Sequence, residues 1–162
     1  MAIIYCDMDG VLADFKTAAG RTTGMSINKW MNIPSSKEKW SLIKQKKDFW
    51  STLPWMPGGK QLWSYISKHD PHILSAYVEE SFDPNCIPGK TAWLRRNAGM
   101  TNRSKINLVR RKDKKLFAKR GKPSILIDDY EKNVRDFINA GGQAIHHTNT
   151  SKTISQLKRL GF

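Results

Sequence analysis

The chain has 162 residues, 39% of them apolar and 26% charged, which suits one folded domain with room for a small insert and excludes a disordered composition. Its 28 Lys and Arg against 14 Asp and Glu give a formal charge of +14, which points to polyanions or phosphorylated small molecules as partners and says nothing of fold. No apolar stretch approaches the ~20 residues of a membrane span, Asp7 comes too early for a signal-peptide apolar region, and Cys6 and Cys86 alone make neither a disulfide framework nor a cysteine zinc site. The expectation is a cytoplasmic protein with reduced thiols and no membrane partner.

In chain order, Ile3-Ile4-Tyr5-Cys6 is a short apolar run that meets Asp7-Met8-Asp9-Gly10-Val11, a strand passing into a loop. Residues 15–57 read as a mainly helical insert. Ser35-Ser36-Lys37-Glu38 offers a capping box, Trp40, Ile43 and Trp50 share one face, and Leu53-Pro54-Trp55-Met56-Pro57-Gly58-Gly59 ends the pattern. A helix follows over 58–68, a strand at His72-Ile73-Leu74-Ser75, a helix over 89–98 with Gly99 as its C-cap, and a strand at Ile106-Asn107-Leu108-Val109. A strand at Ser124-Ile125-Leu126-Ile127-Asp128-Asp129, a helix over 130–140 stopped by Gly141-Gly142, a strand at Gln143-Ala144-Ile145-His146 and a helix over 153–160 complete the chain. Strands alternating with helices predict an α/β fold: a Rossmann-like parallel sheet with helices on both faces. The expected domains are an α/β core of 1–14 and 58–162 and a helical cap of 15–57.

In an open parallel sheet, ligands bind outside the carboxyl ends of the strands. Asp7 and Asp9, Ser75, and Asp128 and Asp129 fall at such ends, and Arg110-Arg111-Lys112-Asp113-Lys114-Lys115 follows the third strand. Clustered carboxylates without His or Cys suit Mg²⁺, which binds phosphate together with one or two carboxylates. A lysine and a hydroxyl at the same point would orient phosphate oxygens. One carboxylate could then attack phosphorus, and another could protonate the leaving oxygen and afterwards activate water. Which of Lys112, Lys114 and Lys115 would serve is open at this level.

Asp7-Met8-Asp9-Gly10-Val11, Ile73-Leu74-Ser75 and Ile125-Leu126-Ile127-Asp128-Asp129, in this order, resemble the first, second and fourth motifs of the haloacid dehalogenase (HAD) superfamily of phosphohydrolases. Phe49-Trp50 with Leu53-Pro54-Trp55-Met56-Pro57-Gly58, the stretch Gly89-Lys90-Thr91-Ala92-Trp93-Leu94, Ile127-Asp128-Asp129-Tyr130-Glu131-Lys132-Asn133 and Gly141-Gly142-Gln143-Ala144-Ile145-His146-His147 resemble its 5'(3')-deoxyribonucleotidase group. The resemblance implies Asp7 as nucleophile and Mg²⁺ ligand, and Asp9 as general acid/base lending its backbone carbonyl to the metal. It implies Ser75, with the adjoining Ala76, at a phosphate oxygen, and Asp129 as a direct metal ligand supported by Asp128 and Asn133. Asp113-Lys114-Lys115-Leu116-Phe117-Ala118 matches the third motif best with Lys114 as its lysine. Lys90 would be a second lysine facing phosphate, Trp50 a substrate-binding aromatic, and residues 15–57 the cap.

The expected function is therefore Mg²⁺-dependent hydrolysis of (deoxy)nucleoside monophosphates through an aspartyl-phosphate. Residues 95–122 depart from what a small substrate needs. They hold twelve Lys or Arg and one acid, Asp113, either as a solvated face or as a surface for weak nucleic-acid contact. That charge keeps two alternatives in view, a phosphatase of nucleic-acid 3' ends and a nucleic-acid-binding protein on the same scaffold. A phosphoacceptor receiver domain is disfavoured because its lysine comes last. The aromatics of the insert are expected to form its core, and His146-His147 a surface pair at a strand end.

Overall fold

The computed structural model describes residues 2–119 and 123–162, which divide into two compact units. The first comprises residues up to Ala13, Trp55–Ala76 and Asn102–Phe162, and the second Asp14–Pro54 and Tyr77–Thr101.

The first unit is built on five strands, β1 (Ile3–Cys6), β2 (His72–Ala76), β3 (Ile106–Val109), β4 (Ser124–Asp128) and β5 (Gln143–His146), all paired in parallel in the order β3-β2-β1-β4-β5. Its helices are α4 (Gly59–Ser67), α6 (Glu131–Asn139) and α7 (Thr150–Arg159), with a 3-10 segment over Arg111–Lys119. Strand side chains alternate between faces. Tyr5, Leu74 and Leu126 enter a core with Phe117, Ala118 and Phe137, where the Tyr5 ring meets Phe117 edge-on at 5.4 Å. Ile4, Cys6, Ile73, Ile125 and Ile127 fill the opposite face, and Leu62, Ile66 and Leu157 of the helices are fully buried. The three central strands have both faces covered, so they read as unbroken apolar runs rather than alternating ones.

The second unit holds α1 (Phe15–Thr23), α2 (Ile27–Met31), α3 (Ser36–Gln45) and α5 (Cys86–Ala98). Asp14, Ser26 and Ser35 cap the first three through their side chains. The Phe15 ring lies 5.4–6.1 Å from the rings of Trp30, Trp40, Phe49 and Trp50, so these five aromatics do form the core of this unit, whereas Trp55 falls in the first unit. The helix expected over 89–98 begins at Cys86 and packs in this unit. Trp50 donates its indole N–H to Asp83 Oδ2 at 2.7 Å and Trp93 donates to the Leu53 carbonyl at 2.7 Å. A Cβ on Gly89 would stand 2.5 Å from that of Trp50, so only glycine allows this approach. Among the described residues no helix is long and apolar enough to cross a membrane.

Candidate active site

The strand order reverses direction between β1 and β4, because β2 and β3 extend to one side of β1 while β4 and β5 extend to the other. A crevice opens at such a switch point beyond the carboxyl ends of the strands. Cys6 is in register with Ile127, so Asp7 emerges beside Asp128 and Asp129. Carboxylate oxygens of Asp7, Asp128 and Asp129 lie within 4.8 Å of one another.

Lys114 joins this cluster. Its ammonium, on a residue 2% exposed, sits 3.1 Å from Asp7 Oδ1 and 2.8 Å from Asp128 Oδ2. Lys112 and Lys115 are exposed. The 3-10 turn separates the three lysines, since it directs Leu116 outward and Phe117 and Ala118 inward with Lys114. Asp128 is fully occupied: Oδ1 accepts the Tyr130 backbone N–H, and Oδ2 accepts Lys114 and the Asn133 amide at 3.1 Å. Asp7 Oδ1 also accepts the Met8 backbone N–H at 2.8 Å. Ser75 is buried at the carboxyl end of β2, with Ala76 half-buried beside it. Asp9 is half-buried in the turn after β1, and its carboxylate lies outside the three-carboxylate group.

Burial, together with the negative charges of Asp7 and Asp128, pushes the Asp129 carboxyl up to about 7. Burial and Asp7 push Asp128 up to about 6, even though Lys114 pulls it down. Burial alone would lower the Lys114 ammonium, yet its two carboxylate partners outweigh that and raise it. Three carboxylates against one ammonium leave an excess of buried negative charge that a cation would offset. The donors are hard oxygens, which suit Mg²⁺. Gly10 has φ +82°, and a Cβ there would meet Asp129 Oδ2 at 2.1 Å. The glycine of Asp-x-Asp-Gly thus both makes the turn and leaves room for this carboxylate. The residues fit a bound Mg²⁺, with Asp7 and Asp129 as the carboxylates able to hold it.

Lys90 and Trp50 belong to the second unit. Lys90 is fully buried, and its ammonium stands 5.2 Å from the centre of the Trp50 ring. Two contacts escaped the sequence. His146 Nε2 lies 3.0 Å from the Asp129 carbonyl, and His147, expected at the surface, is buried with Nδ1 2.7 Å from Thr153 Oγ1. No local pattern announces either: the first depends on β5 lying beside β4, and the second on α7 folding back against the end of β5. The basic segment 95–122 is split: Arg95 and Arg96 lie on α5 in the second unit, Arg103–Lys119 lie in the first, and Arg120, Gly121 and Lys122 fall outside the described residues.

No protein-family profile and no curated protein matches the sequence. Solved structures do match in shape. L-2-haloacid dehalogenase from Xanthobacter autotrophicus with covalently bound chloropropionic acid aligns with 99% of this chain and 84% of its own, at TM-score 0.61 and 14% identity. CbbY from Rhodobacter sphaeroides in complex with phosphate aligns with 89% and 84%, at 0.55 and 15%. A HAD family enzyme from Bacteroides thetaiotaomicron in complex with magnesium and inorganic phosphate aligns with 97% and 98%, at 0.53 and 14%. With its parallel sheet, flanking helices and acidic switch point, the chain has the Rossmann-like fold of the HAD hydrolases.

Proposed function

We propose that this protein is a Mg²⁺-dependent phosphohydrolase that removes phosphate from nucleotides, with (deoxy)nucleoside monophosphates as its smallest substrates, through an aspartyl-phosphate on Asp7. The observation that carries this reading is the buried Lys114 ammonium, 3.1 Å from Asp7 and 2.8 Å from Asp128, at the switch point of the sheet. A carboxylate held this way is aimed, while the same cation neutralises the incoming phosphate oxygens. Solved structures of the same fold in complex with phosphate, and with magnesium and inorganic phosphate, support the phosphate chemistry and the metal.

Asp7 would attack phosphorus, forming the Asp7 O–P bond as the ester P–O bond breaks. Asp9 would give its proton to the departing oxygen, then take a proton from the water that attacks phosphorus and releases Asp7. Ser75 would donate its hydroxyl to a phosphate oxygen. Asp128 would hold Lys114, with Asn133 and the Tyr130 N–H fixing Asp128 in turn. Mg²⁺ held by Asp7 and Asp129, with the Asp9 carbonyl, would supply positive charge to the phosphoryl oxygens.

The test is phosphate release from a panel of mononucleotides with and without EDTA, in the parent and in Asp7→Asn. Asp7→Asn should lower turnover by roughly a thousandfold or more, because an amide of the same shape does not attack phosphorus. Turnover that persists in Asp7→Asn would overturn the nucleophile assignment, and full activity in EDTA would overturn the metal.

A further inference from the structure

Tyr130 directly follows Asp129 and is 44% exposed. Its backbone N–H is given to Asp128 Oδ1 at 2.9 Å, which ties the base of the side chain to the carboxylate cluster. The Arg111 guanidinium carbon lies 5.0 Å from the centre of the Tyr130 ring. Arg111 opens the 3-10 segment that carries Lys114 into the site, and Lys112 and Lys115 of that segment are exposed. A cation-backed aromatic and a short run of cations thus stand within a few residues of the groups that would hold the reacting phosphate.

We infer that this phosphate lies at the end of a nucleic-acid strand, and that the strand leaves the site over Tyr130 and Arg111 and along Lys112 and Lys115. A mononucleotide's phosphate would meet Lys114 and has no further charge to offer the exposed cations. A strand adds one charge per nucleotide, and residues 103–115 hold seven Lys or Arg with the single acid Asp113; Lys114 is buried in the site and Lys105 pairs with Asp70, and Lys112 and Lys115 are among the five others. An acidic peptide would also be attracted, but it has no flat π-face for the Tyr130 ring. Each nucleobase has one, and stacking of bases on tyrosine backed by arginine is sequence-tolerant. The inference rests on the phosphohydrolase reading for its chemistry, whereas binding can be measured without turnover.

Fluorescence anisotropy of 3'-phosphorylated DNA oligonucleotides of increasing length, with the Asp7→Asn protein in Mg²⁺, tests it. Affinity should rise over the first few nucleotides. If about three phosphates are neutralised, the log–log salt slope for a single strand should be near −2, about a 20-fold loss between 50 and 200 mM. Lys112→Glu with Lys115→Glu should flatten that slope by about 1 or more. Tyr130→Ala should weaken oligonucleotide binding about fivefold or more and leave binding of inorganic polyphosphate unchanged. Affinity that is independent of length, or an equal effect of Tyr130→Ala on polyphosphate, overturns the inference. If mononucleotides are still hydrolysed, the phosphohydrolase reading survives that failure. Length-dependent binding without phosphate release from any phosphomonoester refutes the reaction, and the substrate assignment with it.

Discussion

Replacing Lys114 with methionine keeps most of the side-chain volume and deletes one buried charge. At an effective dielectric of about 20, its contacts of 3.1 Å to Asp7 and 2.8 Å to Asp128 correspond to roughly 5 and 6 kcal/mol of gross attraction. Desolvation of the ammonium offsets much of that. Methionine recovers the desolvation but leaves Asp7, Asp128 and Asp129 without their cation. Breaking a buried ion pair from one side costs about 3–5 kcal/mol, so a midpoint shift on the order of 10 °C is expected at this chain length. The loss should depend on pH. With Lys114 present, Asp128 and Asp129 stand at about 6 and about 7; without it both rise, so at pH 8 the folded variant must hold the carboxylates charged without their cation or take up protons that the unfolded chain does not bind. At pH 5 they take up protons, and at least half of the loss should disappear. Urea unfolding in EDTA at the two pH values measures this, with the exposed Lys112→Ala and Lys115→Ala within about 0.5 kcal/mol of the parent. A Lys114→Met protein as stable as the parent at pH 8, or a comparable loss in Lys115→Ala, would refute the reasoning.

Gly10→Ala should abolish turnover and cost about 2 kcal/mol or more, because its Cβ would meet Asp129 Oδ2 at 2.1 Å on backbone with φ +82°; Gly20→Ala inside α1, with 3.5 Å to the Met25 carbonyl, should instead stabilise by about 0.5–1 kcal/mol, and thermal melts of both decide. The folded values of Asp128 and Asp129 lie above 3.8, so their contribution is full below pH ~4 and is lost as pH rises through about 6 and 7. The metal-free melting temperature of the parent should therefore fall between pH 5 and 8 relative to that of Asp129→Asn, and Mg²⁺ should restore it; parallel curves for the two proteins would contradict this. Asp83→Ala should destabilise the helical unit by about 2–3 kcal/mol, since the buried carboxylate accepts the Trp50 indole N–H at 2.7 Å and two Asn85 donors at 3.0 Å; tryptophan fluorescence during denaturation reports it.

The sequence by itself determined the parallel α/β architecture. Its three central strands are covered on both faces, so each appears as an apolar run, and glycine, acids and capping residues punctuate them. It also determined which polar residues would stand at the carboxyl edge, because a strand that ends in Asp7, Ser75 or Asp128 delivers that side chain there whatever the rest of the chain does. The role of Lys114 was legible only as a choice among neighbours. Lys112, Lys114 and Lys115 are chemically alike, and the 3-10 turn that buries one and exposes the others is fixed by Phe117 and Ala118 packing with Tyr5 and Phe137. Tertiary structure alone decided the allegiance of Tyr77–Thr101, whose helical pattern is that of any α/β crossover but whose Asp83 and Trp93 bond to Trp50 and Leu53. It alone decided the burial of His147 and the stacking of Arg111 on Tyr130. The bonds of Trp50 and Trp93 and the Arg111–Tyr130 contact join residues far apart in the chain, and local periodicity carries no information about which distant side chain will arrive.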